Sequence, residues 1–174
     1  IVSRPDLSRF TPYHQSHSTA VAGLSNTRGG DDRFYNNLFV GGADTASPNT
    51  RDPKSQRVSG FGLWVYDTRE LPLRTGGNVY FNGARHYSKE ADPLNLSSVD
   101  PKVRIAEQED GVYLHLTLGP AVRKAMTKRV TTAVLGKAKI PGLAYENADG
   151  TPVVIDYDYF GKKRSKANPT PGPF

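Results

Sequence analysis

Three aspartates invite a chemical reading. Asp31 and Asp32 follow Gly29-Gly30, and Asp67 closes Phe61-Gly62-Leu63-Trp64-Val65-Tyr66. Hydrolysis of a glycosidic bond needs two carboxyl groups flanking that bond, about 5 to 9.5 Å apart, one protonated and one acting as nucleophile or base. Strands stacked side by side lie about 4.8 Å apart, so carboxylates on successive strands of a coil fall in that range. Asp31 and Asp32 are neighbours and point apart, so at most one of them faces a common groove. Their competing use is structural, because an Asp after Gly-Gly caps a turn by accepting backbone N–H bonds. Around them His17, Arg33, Tyr35, Trp64, Arg85 and His86 are suited to bind sugar hydroxyls or a uronate carboxylate. Trp64 is the single tryptophan and offers a sugar ring a flat apolar face, although burial beneath a loop is an equal use for it. A lone His17 is more often a satisfied structural residue than a ligand. Glu146, Asp149, Asp156 and Asp158 lack the spacing of a calcium loop. No metal ligands and no cofactor are therefore assigned, and calcium enters only under the lyase alternative below.

The element that must position these residues is Gly29 to Gly42. It reads as turn, strand and turn, with paired glycines at each end. Phe34, Tyr35, Leu38, Phe39 and Val40 favour a half-buried strand. Asn36-Asn37 interrupts it, which makes sense if the sheet is coiled and asparagines stack or turn the chain from rung to rung. Gly77-Asn78-Val79-Tyr80-Phe81-Asn82-Gly83 is a partial echo, and Phe61 to Tyr66 lies between them as a third short strand. Short strands that return after polar loops suggest a parallel β-helix; the competing architecture is a sandwich of short strands.

The rest of the chain supports a strand-and-turn protein. It has 174 residues, 17 Gly and 13 Pro, and 36% hydrophobic residues, so its core is modest. The chain has no cysteine, hence no disulfide or thiolate site. A net charge of +6 is compatible with an acidic partner, but the basic residues are scattered and no nucleic-acid motif accompanies them. No apolar run is long enough to span a bilayer. Residues 1–16 read as an irregular arm, His17 to Leu24 as a strand, and Ala43 to Ser59 as a long loop. Ala84 to Ser98 reads as another loop. Lys102 to Ala106 and Val112 to Leu118 make a hairpin around Asp110-Gly111, with Val112, Leu114, Leu116 and Leu118 toward the core and His115 outside. A short helix is expected after Pro120, extended chain over Val130 to Leu135, and a last strand over Val153 to Tyr157.

Several motifs together carry a resemblance. They are His17-Ser18-Thr19, Gly29 to Asn37, Gly77 to Phe81, Leu135-Gly136-Lys137-Ala138-Lys139-Ile140-Pro141, Tyr145 to Pro152, Asp158 to Arg164, and Asn168 to Phe174. The set resembles the C-terminal part of large secreted bacterial β-helix glycoside hydrolases, nearest to glycoside hydrolase family 141 with its α-L-fucosidase and xylanase activities. The resemblance implies an all-β fold: right-handed, pectate-lyase-like parallel β-helix rungs with projecting loops over 1–99, a small β-rich appendage over 100–164 and an extended proline-rich tail over 165–174.

It also implies a secreted or periplasmic bacterial protein acting on a plant cell-wall-type polysaccharide or oligosaccharide. Its expected partner is the N-terminal remainder of the same protein, with no nucleic acid and no membrane span. The expected chemistry is glycosidic hydrolysis by two of Asp31, Asp32 and Asp67. The alternatives are a non-catalytic carbohydrate-binding or structural portion of such an enzyme, or a polysaccharide lyase on the same fold with a Lys or Arg base and calcium.

Overall fold

A computed structural model describes residues 1–3, 9–26, 28–42, 50–51 and 58–174. In chain order its first strands are β1 (Val2–Ser3), β2 (Phe10–His14), β3 (Val21–Asn26), β4 (Arg33–Tyr35), β5 (Leu38–Val40), β6 (Thr50–Arg51) and β7 (Val58–Ser59). There follow β8 (Arg74–Gly76), β9 (Val79–Phe81), β10 (Leu94–Leu96), β11 (Arg104–Gln108), β12 (Gly111–His115), β13 (Val130–Thr131) and β14 (Val154–Ile155). The short helix α1 (Thr132–Leu135) is capped by the Thr131 hydroxyl, which accepts from Val134 N–H.

The strands that matter for a site are parallel. β4 pairs with β8, Arg33 opposite Arg74. β5, β9 and β10 form a second sheet in the order β10-β9-β5, with Leu38 opposite Val79 and Val79 opposite Leu94. The chain turns between β4 and β5 at Asn36, whose φ is +57°, a conformation that asparagine tolerates better than most residues. Gly77, at φ +66°, takes the same place in the next turn, where an added Cβ would run into Asn36 Oδ1 and Thr127. Asn37 and Asn78 then stack, 41 residues apart. Asn78 Oδ1 accepts from Asn37 N–H at 2.9 Å and from Asn37 Nδ2 at 3.1 Å. The double asparagine has a division of labour: one residue bends the backbone and the other satisfies it.

Alternation along the strands splits the apolar residues into two cores. On one side Phe34, Phe39 and Tyr80 pack with Leu63, Leu73 and Tyr87, and the Phe39 and Tyr80 rings stack at 5.1 Å. On the other, Leu38, Val40, Val79, Phe81, Leu94 and Leu96 are roofed by Leu118, Val122 and Ala125.

Elsewhere the structure departs from the sequence expectations. Residues 10–14 are a strand rather than part of an irregular arm, paired antiparallel with β3, and His17 stands in the turn before β3 instead of starting a strand. Leu63–Tyr66 is a 3₁₀ helix, not a strand, and it begins after Gly62 at φ +93°, where a Cβ would strike the Arg85 backbone. The loop read over 84–98 contains β10, and α1 replaces part of the extended chain after Val130. The short helix expected over Pro120 to Arg129 is a 3₁₀ helix confined to Pro120–Lys124, ending at Ala125 in extended conformation. The β11–β12 hairpin forms around Asp110-Gly111, but Val112 and Leu114 are exposed, not core. Most of the long loop read over 43–59 lies outside the described residues. The tail reaches the turn between β4 and β5, Gly172 N–H donating to Asn36 C=O at 2.7 Å. No helix among the described residues is long and apolar enough to cross a membrane.

Candidate functional site

The C-terminal segment covers the side of β4 that Arg33 and Tyr35 occupy, and the cover takes up several of the chemically promising side chains. Arg33 and Tyr35 leave β4 on the side away from Phe34. Arg33 Nε donates to Leu135 C=O at 3.1 Å and Nη2 to Lys137 C=O at 2.6 Å. Its Nη1 pairs with Asp31 Oδ1 at 2.8 Å and also donates to Asp31 C=O, while the guanidinium lies 4.8 Å from the Tyr145 ring centroid. Asp31 Oδ2 accepts from Lys139 N–H at 2.7 Å, and Tyr35 Oη donates to Val134 C=O at 3.2 Å. All three residues form a seam between β4 and the chain around α1. His17 is likewise taken up, its Nε2 lying 2.8 Å from Glu146 Oε1.

The remaining candidates gather on the side of the coil marked by the parallel bridge between Gly62 and Arg85. The Arg85 guanidinium lies over the Trp64 ring at 3.9 Å, and Arg85 is exposed. Trp64 Nε1 is buried and has no hydrogen-bond partner among the described residues. Asp67 closes the 3₁₀ helix, exposed, with Oδ1 accepting from Ser88 N–H at 2.9 Å. Asp32 is exposed. Its charge reaches Tyr66, whose phenol is pushed above its ordinary pKa first by burial and then by Asp32, with Arg69 opposing. Thus Asp32 bears on the residue next to Asp67. His86 sits behind them, Nδ1 3.2 Å from Asn95 Oδ1 and its ring edge-on to Tyr80.

Beneath this surface lies a carboxyl group that the sequence reading passed over. Glu90 is buried, receiving Tyr80 Oη at 2.5 Å and Asn78 Nδ2 at 2.8 Å. Burial raises its pKa, while the hydrogen bonds from Tyr80 and Asn78 and the charge of His86 pull the other way. Tyr80 is raised as well, chiefly by burial and then by Glu90. Asn78, bonded also to Phe34 C=O at 2.8 Å, joins this network to the asparagine stack. The only signal of its importance in the sequence was its place in the Gly77 to Phe81 echo. No group of three or more His, Cys, Asp or Glu able to hold a metal ion occurs among the described residues.

No protein-family model and no curated protein matches the chain. A solved structure, "The complex structure of XylC with xylose", is similar to it at 32% identity over 95% of this chain, with a TM-score of 0.81. The chain spans 28% of the length of that protein.

Proposed function

We propose that this chain is the sugar-binding portion of a carbohydrate-active enzyme, built as rungs of a right-handed parallel β-helix whose open side binds a xylose-type pyranose at Trp64 and Arg85. The observation that carries the reading is the similarity, across nearly the whole chain, to a protein whose structure is a complex with xylose. The surface chemistry agrees with it. An indole face accepts the C–H side of a pyranose, and a few placed polar groups fix its orientation. The sugar takes the place of the Arg85 guanidinium on Trp64 and receives its N–H bonds, with Asp67 accepting from a hydroxyl. Trp64 is the chain's single tryptophan, so its fluorescence reports on this surface alone. Titration with xylose and xylo-oligosaccharides is expected to change the emission saturably, and Arg85→Ala is expected to weaken binding about tenfold, the equivalent of roughly 1.4 kcal/mol. A flat titration at millimolar sugar rejects the reading.

The finer form is glycosidic hydrolysis, including assignment to family 141. Asp31 lies in the seam with Arg33 and Lys139, whereas Asp32 and Asp67 are exposed and the charge of Asp32 is felt at Tyr66, the residue next to Asp67, which favours them as the pair of carboxyl groups. Asp32→Asn and Asp67→Asn in the full-length enzyme are each expected to lower turnover on xylan-type substrates at least about a hundredfold. Full activity in both variants would remove the pair and leave the sugar-binding role standing.

A further inference from the structure

We infer that the free edge of β5 is completed by an added parallel strand whose alternating aliphatic side chains enter the cleft between β5 and the β11–β12 hairpin. The inference rests on reading the chain as part of a longer coil.

The backbone gives the first reason. Among the described strands β5 is bonded on one side only, to β9. Asn37 C=O accepts from Val79 N–H and Gly41 N–H donates to Phe81 C=O. The odd-numbered residues therefore address β9, and the peptide groups of Leu38 and Val40 face away from it. Such an edge is a template for another strand.

The side chains give the second. The rows Leu38–Val79–Leu94 and Val40–Phe81–Leu96 run across the sheet on one face, and Phe39–Tyr80 on the other. At the β5 end of the two aliphatic rows lies a cleft of about 510 Å³, walled by Leu38, Val40, Leu114, Leu116, Val130 and Phe174. Across it the hairpin is amphipathic. Ile105, Val112 and Leu114 share one face, 68%, 69% and 56% exposed, with Glu107 opposite Val112 at the turn end of that face; Arg104, Ala106, Tyr113 and His115 are on the other. The exposed cross-strand pair Ile105–Leu114, with Val112 next to it and Leu114 lining the cleft, stands beside a strand edge unpaired among the described strands and marks an interaction surface. Arg164 adds a polar anchor to the same wall: its Nε is buried without an acceptor among the described residues.

Continuity with the β5–β9 interface states the occupant's chemistry. It is an extended, uncharged segment with aliphatic residues in line with Leu38 and Val40 and a large apolar residue in line with Phe39. A symmetric second copy would bring β5 against β5 antiparallel, which breaks the parallel register of the sheet.

The probe is the peptide acetyl-Asn-Leu-Phe-Val-Gly-amide, the sequence of residues 37–41, titrated into the chain while amide hydrogen exchange is followed by NMR. Exchange at Leu38 and Val40 is expected to slow about tenfold or more at saturation, with Val79 unchanged. A control peptide with Lys at both aliphatic positions is expected to have no effect. Leu114→Asp, at an exposed position, is expected to remove the response. No slowing at millimolar peptide overturns the inference, and so does an undiminished response in Leu114→Asp. Protection already present without peptide and lost on dilution, with a dimer seen by sedimentation, overturns it in favour of a second copy. The sugar titration at Trp64 reads a different surface, so either idea can fail alone.

Discussion

The parallel strands and the C-terminal segment are held together by different forces. Around the parallel strands lie stacked rings and aliphatic rows, and the asparagines and Glu90 satisfy one another inside. The segment beyond residue 100 contributes few buried apolar side chains, chiefly Val122, Ala125 and Val130. Many of its other attachments are side chains of the parallel strands reaching its backbone: Arg33 to Leu135 and Lys137, Tyr35 to Val134, and Asn36 Nδ2 to Lys128 C=O at 2.7 Å. The lesson is that a dense cluster of functional side chains can be a seam. Asp31, Arg33 and Tyr35 look like a site in the sequence because a seam made of long-range polar bonds uses the same residue types as a binding site.

Arg33→Ala puts that contrast to its hardest test. Its side chain is only 6% exposed and that of Asp31 18%. Removing one partner of a buried pair costs about 3–5 kcal/mol, so urea denaturation should show a loss of that size. A loss below 1 kcal/mol would mean that the seam is not what holds the segment.

Within the coil the sharper probe is pH. The pKa of Glu90 is raised by burial, so the folded protein binds a proton more tightly there than the unfolded chain does. The stability from Glu90 is fully present below its unfolded pKa of about 4.3 and is lost as pH rises through the folded value. Over that window the parent should lose stability relative to Glu90→Gln, with a slope of at most about 1.4 kcal/mol per pH unit. Urea midpoints of both proteins from pH 4 to 8 measure it, and a constant difference would show that Glu90 titrates normally. The smallest effect belongs to the hairpin: Val112→Lys, at a residue 69% exposed, should change the stability of the chain by less than about 0.5 kcal/mol.

Local chemistry was readable in the sequence where one residue type has one main use. Asp110-Gly111 marks its hairpin turn, and Asn36-Asn37 marks a bend with a return at Gly77-Asn78. Leu63 to Tyr66 was not readable, because alternating apolar residues also suit a 3₁₀ turn; Leu63 and Val65 are buried as they would be in a strand. The site was harder still. The acceptors for Arg33 lie 102 and 104 residues away, and nothing near Glu90 announces that its carboxyl is enclosed. What separates Arg33 from Arg85 is which side of the coil the distant segment covers.

The 41-residue interval between stacked asparagines also has a consequence in time. At synthesis rates of about 5–20 residues per second, β4 and β5 each wait roughly 2–8 s before β8 and β9, their parallel partners, exist. During that wait Phe34 of β4 and Leu38, Phe39 and Val40 of β5 have no β8 or β9 to receive them. Contacts this distant along the chain also make folding slow. The nascent chain is therefore most prone to sticking between the emergence of β5 and that of β9, and a chaperone that binds short apolar strands would engage it there.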